Sequence, residues 1–371
     1  MTTDNTPSRS KRYSAVKTRF FIADLVLTVV ALMVFQLFVS RAVSQAALNS
    51  FNSFYLACLV YMMVFLLFMY VVGFPLHLAS SFFVERRYGL SDRGFPSWAL
   101  DEIKSVALSS VLSVICIQVF YLVLRNFPHT WWIIVSILWI FFSIVLSRLL
   151  PVLIIPIFFK YIPIENKELK ERILDLARRA GVSLTDICQI DLSTKTKKAN
   201  AALVGLGRTR KVILADTLTN EFTTEEVEAV VAHEFGHFKY KHIWQLLAFS
   251  GAVTLAGFYI LSLVAEKLVN LTGASGLDDL YLFPALLLLM IFFGLVILPW
   301  QNLFSRVLER QADRFTLDIT ADAGTFISVM RKLASMNLAD VDPSWWRKVF
   351  FYDHPPIVER IKMAEHGKQQ A

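Results

Sequence analysis

The sequence predicts a mostly α-helical, polytopic membrane protein of about six transmembrane helices with a small α+β domain on the cytoplasmic side. Three observations predict it. Of 371 residues, 56% are hydrophobic and 18% charged, with a mean hydropathy of +0.53; a soluble domain carries about 45–50% apolar and about 25% charged residues. The excess is concentrated in runs long enough to cross a bilayer, which takes about 20 residues per helix. One stretch of ordinary soluble composition interrupts the runs.

Six apolar runs stand out, at roughly 20–40, 54–80, 105–124, 131–155, 243–265 and 281–304, and no formal charge falls between Arg41 and Glu85. The first run follows a basic stretch, as in a signal peptide. It exceeds the roughly 7–15 apolar residues of such a segment and reads as a retained span. Basic residues set the orientation. The tail carries Arg9, Lys11, Arg12, Lys17 and Arg19, and the second connection carries Arg86, Arg87, Arg93 and Lys104. The connections after runs one and three hold only Arg41 and Arg125. The positive-inside rule puts the tail, the second connection and both chain ends in the cytoplasm.

This divides the chain into a basic cytoplasmic tail (1–19), a membrane region with four spans (20–159), a cytoplasmic segment of soluble character (160–242), a two-span helical hairpin (243–304) and a C-terminal helical region (305–371). Basic loops account for the net charge of +7, so no nucleic-acid partner is expected. Cys58, Cys116 and Cys188 are far apart and form no CxxC pair, so the sequence indicates neither a cysteine zinc site nor a disulfide framework.

Within the soluble segment, Lys167 to Ala180 reads as an amphipathic helix with Leu169, Ile173, Leu176 and Ala177 on one face. Gly181 is its stop. Three strand-like stretches follow, at 186–193, 199–205 and 211–218, with Gly205 and Gly207 in the turn of a hairpin.

At 233–237 the chain reads His-Glu-Phe-Gly-His. On a helix, positions i and i+4 share a face, so His233 and His237 can bind one zinc ion per chain, and Glu234 can accept a proton from the attacking water. A chain of this composition would contain such a motif by chance about 0.005 times. Thr223 and Glu226 form a capping box at the start of the helix. A catalytic zinc takes three protein ligands. His242 follows His237 by five residues, where the metzincin pattern needs six, and reads as a polar residue at the membrane edge. Glu309 is the better third ligand. Run five departs just after His237 and run six returns just before Glu309, so an antiparallel pair of spans brings them together. Asp313, one turn on along the same face, is suited to bond a ligating imidazole.

With those residues in place, the sequence resembles the CAAX prenyl protease 1 family of integral-membrane metallopeptidases, from about residue 80 to 365. The resemblance rests on Tyr88-Gly89-Leu90-Ser91 with Trp98, Asp101 and Lys104; on Pro156 to Pro163; and on Asn200-Ala201 with Gly205. It continues through Val212 to Leu218, the His233–His237 motif, Ser305-Arg306 with Glu309, Ala312-Asp313, and His354-Pro355-Pro356 with Glu359-Arg360. It implies a zinc endopeptidase with His233, His237 and Glu309 as ligands and Glu234 as general base. It also implies that strand 199–204, with Asn200 and Ala201, is an edge onto which substrate adds, and that His354 and Arg360 stabilise the oxyanion. The partners implied are a peptide or protein substrate, lipidated or not, and the bilayer.

Two departures point to a prokaryotic-type member. The chain shows six spans and no acidic insertion before the metal helix, where eukaryotic relatives have seven spans and an insertion. Asp353 stands before His-Pro-Pro in place of a small hydroxyl residue. The membrane is the inner membrane if the source is bacterial, and the endoplasmic reticulum if eukaryotic. The competing readings are a heat-shock-type quality-control metalloprotease, which has fewer spans, and an inactive scaffold or transporter, which would not need intact ligands and base.

Overall fold

A computed structural model describes residues 8–205 and 210–370, with side chains up to His366. Four long helices come first: α1 (Arg9–Ser50), α2 (Phe54–Arg87), α3 (Phe95–Asn126) and α4 (Trp131–Phe158). The soluble unit follows, with β1 (Tyr161–Pro163), α5 (Lys167–Ala180), β2 (Asp186–Ile190), β3 (Ala201–Val204), β4 (Lys211–Ala215), α6 (Asp216–Glu221) and α7 (Thr224–Lys239). Two more long helices, α8 (His242–Thr272) and α9 (Phe283–Thr320), precede the short α10 (Ala323–Met336), α11 (Trp345–Phe351) and α12 (Ile357–Gln370).

Helices α1 to α4, α8 and α9 are the six in the described residues that are long and apolar enough to cross a membrane. The expected spans are thus all present, and several run past their apolar cores. α9 is continuous through residue 304, so the boundary drawn there marks a change of surroundings within one helix. The main helix–helix packing runs round a ring, α1–α2–α3–α4–α8–α9 and back to α1. At the end of the ring remote from α7, Leu32, Phe35, Tyr61, Met62, Phe65, Tyr121, Leu280 and Phe283 bury one another.

The soluble unit has a four-stranded sheet in the order β1-β2-β4-β3. β2 and β4 are parallel, with Cys188 opposite Ile213, and the outer pairs are antiparallel. One contiguous core joins Ile173 and Leu176 of α5, Val212 and Leu214 of β4, Val231 and Phe235 of α7, and Phe326 and Val329 of α10. The amphipathic helix occupies its expected residues. Asn166 Oδ1 caps its start and Gly181, at φ +70°, ends it in the left-handed conformation that glycine adopts without strain.

The hairpin forms as expected but is shorter. β4 stops at Ala215 because Asp216 turns its carboxylate onto the Thr217 and Ser193 amides, each at 2.8 Å, and opens α6. Gly205 ends β3 at φ +92°, and Gly207 lies outside the described residues. β1 was not foreseen. Three residues carry no periodicity, and their strand geometry comes only from pairing with β2.

Candidate active site

The site is built on α7, whose start is fixed first. Thr223 Oγ1 accepts from the Glu226 amide at 3.3 Å, and Glu226 Oε2 accepts from the Thr223 amide at 2.9 Å. Glu226 also accepts from Lys332 and Ser328 of α10, each at 2.6 Å. The helix so anchored carries His233 and His237 on the face turned to α9. The two helices meet closely at Gly236, where a Cβ would lie 2.9 Å from Ala312 Cα. Glycine in the motif is therefore a packing requirement.

Glu309 comes from α9, 72 residues beyond His237, and reaches both imidazoles. Its Oε2 lies 3.1 Å from His233 Nε2 and its Oε1 lies 3.3 Å from His237 Nε2. The two Nε2 atoms are 3.1 Å apart, and the potential ligand atoms of the three residues all fall within 4.8 Å of one another.

Donor arithmetic shows that this cluster suits a cation. Asp313 Oδ1 lies 3.0 Å from His233 Nδ1, an ion-pair contact short of good hydrogen-bond geometry; a carboxylate only accepts, so a proton on that nitrogen is what avoids two facing lone pairs. In a neutral imidazole the Nε2 lone pair then faces the Glu309 carboxylate. Glu309 Oε2 is sealed from solvent with no hydrogen bond of good geometry. Lone pairs converging in a buried space are stable only around positive charge. In the bare chain a proton meets that need. Burial disfavours the His233 imidazolium, but Asp313 and Glu309 outweigh burial and raise its pKa to about 9.

Three further residues complete the site. Arg360 is buried, with Nε donating to Asp313 Oδ2 at 2.8 Å and Nη2 donating to Oδ1. Burial opposes its charge, and the Asp313 carboxylate more than compensates, holding the guanidinium as a cation. Two of its five N–H donors are thus committed to Asp313, which sets it behind His233, and the oxyanion role expected of Arg360 would fall to the remaining three. His354 does reach the site, its Nε2 3.5 Å from Glu309 Oε1. Asp353, the departure in sequence, is 2.8 Å from His354 Nδ1. Burial lowers the His354 pKa, and Asp353 and Glu309 turn the net shift upward. Arg306 donates to the carbonyls of Lys348 and Tyr352, pinning the segment that carries this pair. Glu234 is half-buried and makes no hydrogen bond or ion pair among the described residues, which leaves its carboxylate able to take a proton.

β3 is an edge of the sheet, and it follows Asn200 and includes Ala201. The Tyr88–Ser91 block holds the chain leading into it. The Leu90 carbonyl accepts from the Lys197 amide at 2.8 Å, and Ser91 Oγ donates to the Lys195 carbonyl at 2.6 Å. Lys198 pairs with Glu85 at 3.1 Å.

His242 opens the membrane-capable α8 and, beyond the reading of it as a residue at the membrane edge, contacts the site. It is 1% exposed and sits beside His237, with 2.9 Å between their Nδ1 atoms. The signal was its spacing, which points away from the ligand face only if the helix is unbroken. Lys241, at φ +56°, breaks it. Gln311, 3.0 Å from His242 Nε2, was not singled out at all.

A ring of membrane-spanning helices that presses an HExxH helix against a distant glutamate defines a membrane-embedded metalloprotease. Residues 163–368 match peptidase family M48, and residues 1–160 match the CAAX prenyl protease N-terminal region. The chain belongs to peptidase family M48. That N-terminal region is described as having five membrane helices, whereas the described residues of this chain hold four there.

Among its relatives are an uncharacterized metalloprotease YhfN of Bacillus subtilis, 33% identical over 76% of this chain and 67% of that protein, and CAAX prenyl protease 1 of Saccharomyces cerevisiae, 29% identical over 81% and 70%. The crystal structure of S. mikatae Ste24p superposes with a TM-score of 0.85 at 25% identity, covering 96% of this chain and 88% of that one.

Proposed function

We propose that this protein is a zinc endopeptidase that cleaves extended peptides at the membrane surface, with the site on the cytoplasmic side. The observation that carries the proposal is the convergence of His233, His237 and Glu309, the two-histidine, one-glutamate set that suits a catalytic zinc. Bound there, zinc would supply the Lewis acidity that polarises a carbonyl and makes water nucleophilic near neutral pH.

The protein's own groups then divide the work. The β3 edge offers unpaired amides and carbonyls to which a peptide can add as a further strand. That fixes the scissile bond beside the ligand cluster. Glu234 takes the proton from the attacking water and returns it to the departing amine nitrogen. His354, protonated and oriented by Asp353, donates from Nε2 to the carbonyl oxygen as charge develops. Arg360 and Asp313 hold His233 in the tautomer that binds metal through Nε2.

The positive-inside pattern of the tail and second connection supports the cytoplasmic placement. The relatives named CAAX prenyl proteases support lipidated C-terminal peptides as the first substrates to try. In the test, Glu234→Gln should lose about 10²–10⁴-fold in cleavage and keep its metal. Wild-type turnover by that variant would reject the mechanism. A panel of farnesylated and unmodified peptides, assayed with chelator and then with zinc restored, identifies the substrate class.

A further inference from the structure

We infer that His242, backed by Gln311, is a positioning residue for the ligand His237, accepting a hydrogen bond from its Nδ1–H so that the Nε2 lone pair faces the metal. The inference rests on the metal site proposed above. It assigns a function to two residues that neither the motif nor the general base requires.

The geometry begins with a break in the helix. In an unbroken helix, a residue five beyond His237 would lie about 140° round the axis. Tyr240 ends α7, Lys241 adopts the left-handed conformation at φ +56°, and His242 opens α8. This turn brings the His242 ring back beside His237, with ring centroids 5.0 Å apart. Tyr240 stacks on the face of the His242 ring, with centroids 5.7 Å apart. The ring is thus held at its edge by His237 and on a face by Tyr240, and out of solvent, with 1% of the residue exposed.

The proton count gives the arrangement its meaning. The 2.9 Å contact joins Nδ1 of His237 to Nδ1 of His242, so one of the two carries the proton and the other accepts it. If His237 donates, its Nε2 is bare and free to ligate. His242 must then carry its own proton on Nε2, where Gln311 Oε1 accepts it at 3.0 Å. If the chain ran the other way, His237 would bear its proton on Nε2, aimed at Glu309 Oε1 3.3 Å away. That proton would occupy the place of the metal. An amide can present either its oxygen or its nitrogen, and the ligand role of His237 selects the orientation with the oxygen inward.

The two ligating imidazoles are thus served by different devices. His233 is held by a charged pair, Asp313 and Arg360. His237 is held by a neutral relay, His242 and Gln311. A purely structural role for His242 would predict a loss of stability from its replacement and no particular effect on metal.

The test uses the full-length purified protein and the metal alone. Zinc affinity is measured by chelator competition for wild type, His242→Phe, His242→Asn and Gln311→Leu, and the electronic spectrum of the cobalt-loaded forms reports the ligand field. His242→Phe removes the acceptor and should weaken zinc binding by about 10–100-fold. His242→Asn, whose Oδ1 falls where Nδ1 was, should recover most of that loss. Gln311→Leu should weaken binding in the same direction and carries the test if His242→Phe does not fold. Wild-type affinity in both His242→Phe and Gln311→Leu would overturn the inference, as would an equal loss in His242→Asn and His242→Phe. A wild-type chain with no zinc affinity would instead overturn the metalloprotease reading beneath it.

Discussion

The catalytic unit and the membrane ring use the same apolar residues to opposite ends. In the catalytic unit, Ile173, Val212, Leu214 and Val231 are all 0% exposed and lie in one shared core. In the ring, the most apolar windows of α3, α4 and α8 are only 11% buried within the protein, and Leu37 and Phe38 of α1 are 71% and 77% exposed. Water drives the first kind of burial. Lipid replaces water around the second, where apolar side chains gain little by turning inward and helix contacts rest on close packing.

α9 belongs to both regions. Its first half joins the ring through Phe283 and Leu286, and its second half enters the catalytic unit through Phe315. Glu309 stands where one environment gives way to the other. The His233–His237–Glu309 cluster therefore depends on a membrane hairpin for a carboxylate that the soluble segment alone does not contain.

Substitutions can sharpen this contrast. Leu214→Ala in the catalytic core should cost about 2–5 kcal/mol in unfolding free energy, as buried leucines generally do, and should abolish the cooperative melt of that unit first. Gly236→Ala, at the joint of α7 and α9, should cost about 1–3 kcal/mol by overpacking. Because Ala312 lies one turn from Glu309, the same variant should bind zinc more weakly, which chelator competition would reveal.

A third effect follows from protonation. The raised His233 pKa of about 9 stabilises the metal-free chain below its unfolded value of 6.5, and that contribution disappears as pH rises through 9. Metal must displace this proton, so zinc affinity should fall about tenfold for each unit of pH below 9. A flat affinity between pH 6 and pH 8.5 would contradict the proton assignment. Smallest of all, Leu37→Ala on the lipid face should change stability by no more than about 0.5 kcal/mol. A core-sized loss there would mean that this face is covered by protein.

Much of this was legible in the sequence because it is written locally. The spans, the amphipathic helix ending at Gly181, the capping box and the i, i+4 histidines are all short-range patterns, and each occupies its expected residues. Glu309 was legible in a different way, by following the chain out along one span and back along the next. What escaped depends on pairing at long range or on a conformation with no sequence signature. β1 is a strand only because β2 lies beside it. The commitment of Arg360 to Asp313 spans 47 residues and reflects the docking of α12. The contact of His242 with His237 was hidden because a lysine holds the left-handed conformation that glycine normally occupies.

The hairpin's contribution to the site can be tested on its own with metal analysis of purified wild type beside Glu309→Gln, the two matched in their helical content. The proposed site predicts one zinc per wild-type chain and a substoichiometric amount, easily stripped by chelator, in the variant. A variant that kept a full, tightly held zinc ion would show that α9 supplies no ligand and that the metal, if present, is bound elsewhere.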